Sequence, residues 1–175
     1  MWVTGAALFI RLADYREVGG LDGHFFAHME EIDLCWRLRS RGKKLVCIPQ
    51  SVVYHVGGAT LKKENPRKTF LNFRNNLLML YKNLPDKELE HVLFIRGILD
   101  RVAALVFYLK KDRANARAVM QAWREFEDIR YSFAASRIEN MMKSTDEIIP
   151  ERTHFSIVMK YYLLGKKHFS QLKLF

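Results

Sequence analysis

Between Gly19 and Gly58 the sequence concentrates side chains that can move protons or hold charge. Glu30 and Glu31 stand where a helix should begin. The positive end of a helix favours an ionised carboxylate there, which suits Glu31 to act as a general base at neutral pH. The same pair also serves a plainer purpose, complementing the helix dipole. Asp33 and Arg37 have the spacing of an intrahelical ion pair. Trp36 offers a face for the C–H surface of a sugar ring, or a core residue. His55 closes an apolar run ahead of Gly57-Gly58. A neutral imidazole can ligate a divalent metal or touch a phosphate, and glycines let a loop close over a ligand; a structural role is the alternative. Lys62, Lys63, Arg67, Lys68 and Arg74 follow, able to hold a diphosphate or to form a solvated face.

The elements that must position these residues change character along the chain. Residues 5–10 read as a short buried strand. Arg11 to Val18 has helical spacing, Gly19-Gly20 stops it, and Asp22-Gly23 adds a turn. Glu30 to Arg41 is the next helix, closed by Gly42. Lys44 to Ile48 and Ser51 to Val56 read as strands. From Pro66 the apolar residues recur at helical spacing as far as Pro85. Asp86 to Leu109 forms a further helix with a narrow polar stripe of Arg96, Gly97, Asp100 and Arg101. Asp112 to Lys143 reads as one long helix. The expected fold class is therefore α/β up to about residue 60 and all-helical beyond.

The chain of 175 residues is 49% hydrophobic and 13% aromatic, which excludes a disordered chain. Its net charge of +10 favours polyanions: phosphate-rich ligands, anionic lipid or nucleic acid. Nucleic acid rests on charge alone, because the aromatics near the basic residues are spaced as helix core. Cys35 and Cys47 lie in apolar runs and read as buried thiols of a cytosolic protein rather than a disulfide. The start, Met1-Trp2-Val3-Thr4-Gly5, lacks the basic region of a signal peptide. No apolar window is long enough to span a bilayer clearly.

Taken jointly, Gly5-Ala6, Gly19-Gly20-Leu21-Asp22, Phe25-Phe26, Glu30-Glu31-Ile32-Asp33-Leu34-Cys35-Trp36-Arg37, Gly42, Pro49 and Tyr54-His55-Val56-Gly57-Gly58 resemble the C-terminal half of a family 2 glycosyltransferase. These are inverting enzymes of the GT-A, Rossmann-like fold, of the bacterial cell-surface polysaccharide kind. The resemblance covers about residues 3–83. It implies that Glu31 is the base that deprotonates the acceptor hydroxyl. The family usually has Asp there; Glu keeps the carboxylate and reaches one methylene further. It implies an acceptor side formed by Asp22, Glu30, Asp33 and Trp36. Phosphate contacts fall to Arg37, Lys62, Lys63 and Arg67. His55 takes a metal position, with Mn²⁺ or Mg²⁺ as the cofactor of the complete enzyme. The family's metal-holding Asp-x-Asp motif is absent from this sequence. With an opening that reads as a core strand, the chain reads as a truncated piece, inactive without a nucleotide-binding half.

Three regions follow: 1–60 as the acceptor side of a catalytic domain, 61–85 as a basic loop and connecting helix, and 86–175 as a helical extension. The expected partners are a nucleotide-sugar donor and a glycan or lipid-linked acceptor. For the extension two readings stay open. Its apolar helix beside Lys110, Lys111, Arg113, Lys166 and Lys167 suits an anionic membrane surface, the inner face of a plasma membrane for a cytoplasmic protein. Equally it suits a hairpin packed on its own domain or on a second copy. The alternative to a transferase is a non-catalytic helical module that binds membrane or a partner chain.

Overall fold

The computed structural model describes residues 2–56, 65–145, 149, 152–153, 155 and 157–172. Its regular elements are helices: α1 (Leu12–Glu17), α2 (Glu30–Ser40), α3 (Pro66–Asn83), α4 (Asp86–Leu109), α5 (Arg113–Ile129), α6 (Ala134–Met142) and α7 (Ile157–Tyr162). Short 3-10 turns cover Gly5–Ala7, Gly23–Phe25, Arg130–Phe133 and Phe169–Leu172.

The expected α/β, Rossmann-like layout is overturned: among the described residues there is no strand. The run at 5–10 opens as a 3-10 turn in which the Thr4 hydroxyl accepts from the Ala6 amide. The runs at 44–48 and 51–56 carry strand-type residues but form no ladder. A strand exists only where a neighbour accepts its amides and offers carbonyls. Nothing described lies alongside these segments in that way, and Val46, Ile48, Val52, Val53, Tyr54 and Val56 are exposed. The single long helix expected over 112–143 is also corrected. It breaks at Arg130–Phe133, where the backbone tightens and Phe133 turns into the core.

The helical boundaries follow local chemistry. Asn65 caps α3, its side-chain oxygen accepting from the Arg67 amide at 2.9 Å, with Pro66 in the first turn. Asp112 caps α5 through the Asn115 amide at 3.1 Å. Helix α2 ends in a Schellman turn: Gly42, at φ 73°, donates to Arg39, and Lys43 donates to Leu38.

Helix α3 is central, packing on α2, α4, α5 and α6. The main core joins Phe25, Leu77, Leu78, Tyr81, Leu89, Leu93, Phe126 and Phe133. A smaller cluster of Val18, Leu34 and Leu38 seats α2 against α1. Where α4 crosses α5, Gly97 leaves room for the Trp123 ring, 3.6 Å from where a Cβ would stand. The polar stripe of α4 points into this crossing. Trp123 Nε1–H donates to Asp100 at 2.9 Å, Arg96 pairs with Asp100 at 2.9 Å, and Arg101 stacks over Trp123.

Candidate functional site

Two neighbouring features frame the site, and both are organised by α2. The first is the loop that leads into the helix. Phe26, His28 and Met29 all adopt positive φ, at 60°, 71° and 75°. Side chains disfavour this conformation, and runs of it mark ligand-holding loops. Asn75 of α3 holds the loop in place. Fully buried, its amide donates to the carbonyls of Phe25, Ala27 and His28, each at 2.8 Å, and its oxygen accepts from Arg74. Arg74 also reaches the His24 carbonyl and pairs with Glu125 at 2.7 Å.

This loop delivers Glu30 and Glu31 to the first turn of α2, beside Asp33. One carboxylate oxygen of Glu30, one of Glu31 and Nε2 of His28 are buried without a hydrogen-bond partner among the described residues. Buried polar atoms without partners are uncommon in folded proteins and call for an explanation. Burial pushes the Glu30 carboxyl up, its own amide opposes this, and the adjacent Glu31 carboxylate pushes it further up. Arg67, at the start of α3, lies over the Phe26 ring at 5.3 Å and so brings one expected phosphate residue to the same loop.

The second feature is an ion-paired cleft of about 740 Å³ bordered by Asp22, His24, Arg37, Arg41, Lys82 and Glu139. Behind it lies Asp33, wholly buried. Arg37 donates to Asp33 through Nε at 3.0 Å and Nη2 at 2.7 Å. Lys82 reaches Asp33 at 3.0 Å and Asp22 at 2.7 Å, and Asn83 donates to the other Asp33 oxygen at 2.8 Å. The Arg37 guanidinium also donates to the carbonyls of Val18 and Gly20. Gly20 itself, at φ 67°, admits no side chain: a Cβ there would stand 2.8 Å from the Tyr15 ring.

Asp22 caps the Gly23–Phe25 turn through the His24 amide at 3.0 Å and pairs with the His24 ring at 2.7 Å. Burial pushes its carboxyl up, but the Lys82 ammonium, aided by His24, outweighs that and holds it at about 2. A carboxylate depressed in the folded state binds fewer protons there than in the unfolded chain. Its contribution is whole above its ordinary value of 3.8 and fades as pH falls towards 2. Wild-type protein should therefore lose about 2 kcal/mol between roughly pH 5 and pH 2 that an Asp22→Asn variant does not lose. Urea denaturation of both proteins across that range checks it; parallel curves would refute it.

The structure places the other expected residues as follows. Trp36 packs against the main core. Arg37 and Asp33 make the anticipated i, i+4 pair, and both are enclosed. His55 is exposed in the irregular segment at 51–56, and no described contact joins it to Glu31. Lys62 and Lys63 lie outside the described residues. Of the two thiols, Cys35 is buried but Cys47 is exposed, against expectation. Among the described residues no three His, Cys, Asp or Glu side chains are grouped so as to hold a metal ion. The divalent metal stays an implication of the resemblance.

Sequence reasoning missed Lys82, Asn83, Asn75 and His28. Lys82 left one trace, a lone cation inside the apolar stretch from Leu77 to Leu84. A charge on the core-facing side of a helix implies a buried partner. Nothing in the spacing marked His28 or Asn75.

The chain is similar in sequence to glycosyltransferases. It is 31% identical over 139 residues to the pre-mycofactocin glycosyltransferase of Mycobacterium tuberculosis, covering 73% of this chain and 29% of that protein. It is 37% identical over 54 residues to the N-acetylglucosaminyl-diphospho-decaprenol L-rhamnosyltransferase of the same organism, covering 31% of this chain and 18% of the relative. To rhamnosyltransferase WbbL of Escherichia coli it is 35% identical over 54 residues, 31% of this chain and 20% of the relative. The chain thus spans less than a third of the length of these curated relatives. No protein-family model matches it, and no solved structure matches it.

Proposed function

We propose that the chain is the acceptor-side portion of an inverting glycosyltransferase of the family 2 kind. It would work in cell-surface polysaccharide synthesis, moving a sugar from a nucleotide-sugar to a hydroxyl of a glycan or lipid-linked acceptor. The observation that carries this is the pair of carboxylates, Glu30 and Glu31, in the first turn of α2 behind a strained loop. Each has an enclosed oxygen without a hydrogen-bond partner among the described residues. The sequence similarity to glycosyltransferases supports the sugar-transfer part of this reading.

In this mechanism Glu31 accepts the proton of the acceptor hydroxyl as its oxygen attacks the anomeric carbon in line. The bond to the nucleoside diphosphate breaks in the same displacement, and configuration inverts without a covalent enzyme intermediate. Arg67 stands beside the loop, where a departing diphosphate would meet its guanidinium.

The test joins this chain to the N-terminal portion of a related transferase and presents a panel of nucleoside diphosphate sugars with a lipid-linked acceptor. Transfer to the acceptor, with inverted anomeric configuration, is the expected result. A folded joined protein that neither transfers nor hydrolyses any donor would overturn the proposal.

A further inference from the structure

Helix α4 is turned inside out with respect to an ordinary surface helix. It packs inward through Leu89, Leu93, Gly97, Asp100 and Ala104. Its opposite side is apolar and faces solvent: Phe94, Ile98, Val102, Leu105, Val106 and Leu109 are all exposed, Phe94 by 69% and Leu109 by 70%. At about 100° per residue these six fall within an arc of about 120°. From Phe94 to Leu109 the stripe runs roughly 23 Å. Continuous apolar surface on this scale marks a place of contact rather than chance exposure.

Beside the stripe runs a row of guanidinium groups. Arg113, Arg117 and Arg124 fall within about 40° of one another around α5. Together with Leu105, Tyr108 and Met120 they line an open groove of about 870 Å³ between α4 and α5. Arg113 stacks over Tyr108. Among the described residues no ion pair involves Arg117 or Arg124. Of the two carboxylates in the groove, Glu125 is already paired with Arg74 at 2.7 Å. Exposed Lys110 and Lys111 follow the end of the stripe.

We propose that this face, the outward stripe of α4 with the arginine row of α5, is a docking surface for an anionic lipid bilayer. The helix lies in the plane of the interface. Its apolar stripe enters the boundary of the acyl chains, and the guanidinium groups meet lipid phosphates. Two observations choose a bilayer over a second copy of this chain. The apolar surface is edged by cations, so a partner must offer apolar and anionic groups together. The chain also carries a net charge of +10, so two copies repel. No helix of the described residues is long and apolar enough to cross a membrane, so the contact is interfacial. The proposal goes beyond sugar transfer and does not depend on it.

Flotation of the full chain with vesicles tests it. Vesicles of phosphatidylcholine alone are compared with vesicles containing phosphatidylglycerol, at low and high salt. The expected result is flotation with the anionic vesicles, reduced by salt. Arg117→Glu with Arg124→Glu should weaken binding by at least about thirtyfold, and Ile98→Glu with Leu105→Glu should abolish it. These positions are solvent-facing, and circular dichroism with thermal melting confirms that each variant is folded. Absence of binding to anionic vesicles, or binding that both folded variants retain, overturns the proposal. So does a light-scattering dimer that Ile98→Glu with Leu105→Glu dissociates while vesicles remain unbound.

Discussion

Replacing Asp33 by Ala is expected to lower the folding stability of the chain by about 3–5 kcal/mol. Asp33 is wholly buried and accepts from Arg37, Lys82 and Asn83. Its removal leaves two enclosed cations with less negative charge than they were folded around. Lys82 keeps Asp22, and Arg37 keeps the carbonyls of Val18 and Gly20. The loss is one of an unbalanced interior and not only of a few hydrogen bonds. The three elements tied at this point are the Gly19-Gly20 loop, α2 and the end of α3, so the variant should loosen all of them together. Urea denaturation reads the effect as a fall in midpoint at unchanged slope. A loss below about 1 kcal/mol would show that the network does not hold these elements.

The second large effect concerns rate. In the joined transferase, Glu31→Gln should reduce turnover by about 10²–10⁴-fold, the usual contribution of a positioned base, with donor KM little changed. The amide fills the same space but cannot take a proton. Glu31→Asp should retain part of the activity, since it keeps the carboxylate that the family resemblance implies. Turnover of Glu31→Gln within about tenfold of wild type, or a loss that follows Glu30→Gln instead, would remove Glu31 from the role of base. Comparing the two neighbours is informative because burial pushes Glu30 towards the protonated form.

Helix positions were largely legible because they depend on local signals. Helix α4 spans Asp86–Leu109 as its pattern indicates, and α2 stops at the Gly42 turn. The break at Arg130–Phe133 was hidden, because no Gly or Pro stands there; it is dictated by where Phe133 must pack. The strand-like runs misled for a converse reason. Val46 to Val56 has the composition of strands, but a sheet is a property of neighbours, and local composition cannot supply one. The site was half legible. Carboxylates at a helix start can be seen in sequence, and the Asp33–Arg37 pair follows from its spacing. The contributions of Lys82, Asn83 and Asn75 come from α3, about 50 residues away along the chain, and only packing brings them in. The facing of α4 was likewise illegible, since an apolar helix with a polar stripe does not announce which side will be covered.

The contrast between the two thiols gives this fold a built-in clock. Cys35 sits wholly enclosed within α2, its sulfur taking the Val3 amide at 3.4 Å, and enclosure pushes its thiol up, away from the reactive thiolate. Cys47 is open to reagent on the irregular segment that follows. An alkylating agent therefore marks Cys47 at once and reaches Cys35 only when α2 lifts from its seat, so the lag between first and second modification times the breathing of the helix that carries Glu30 and Glu31.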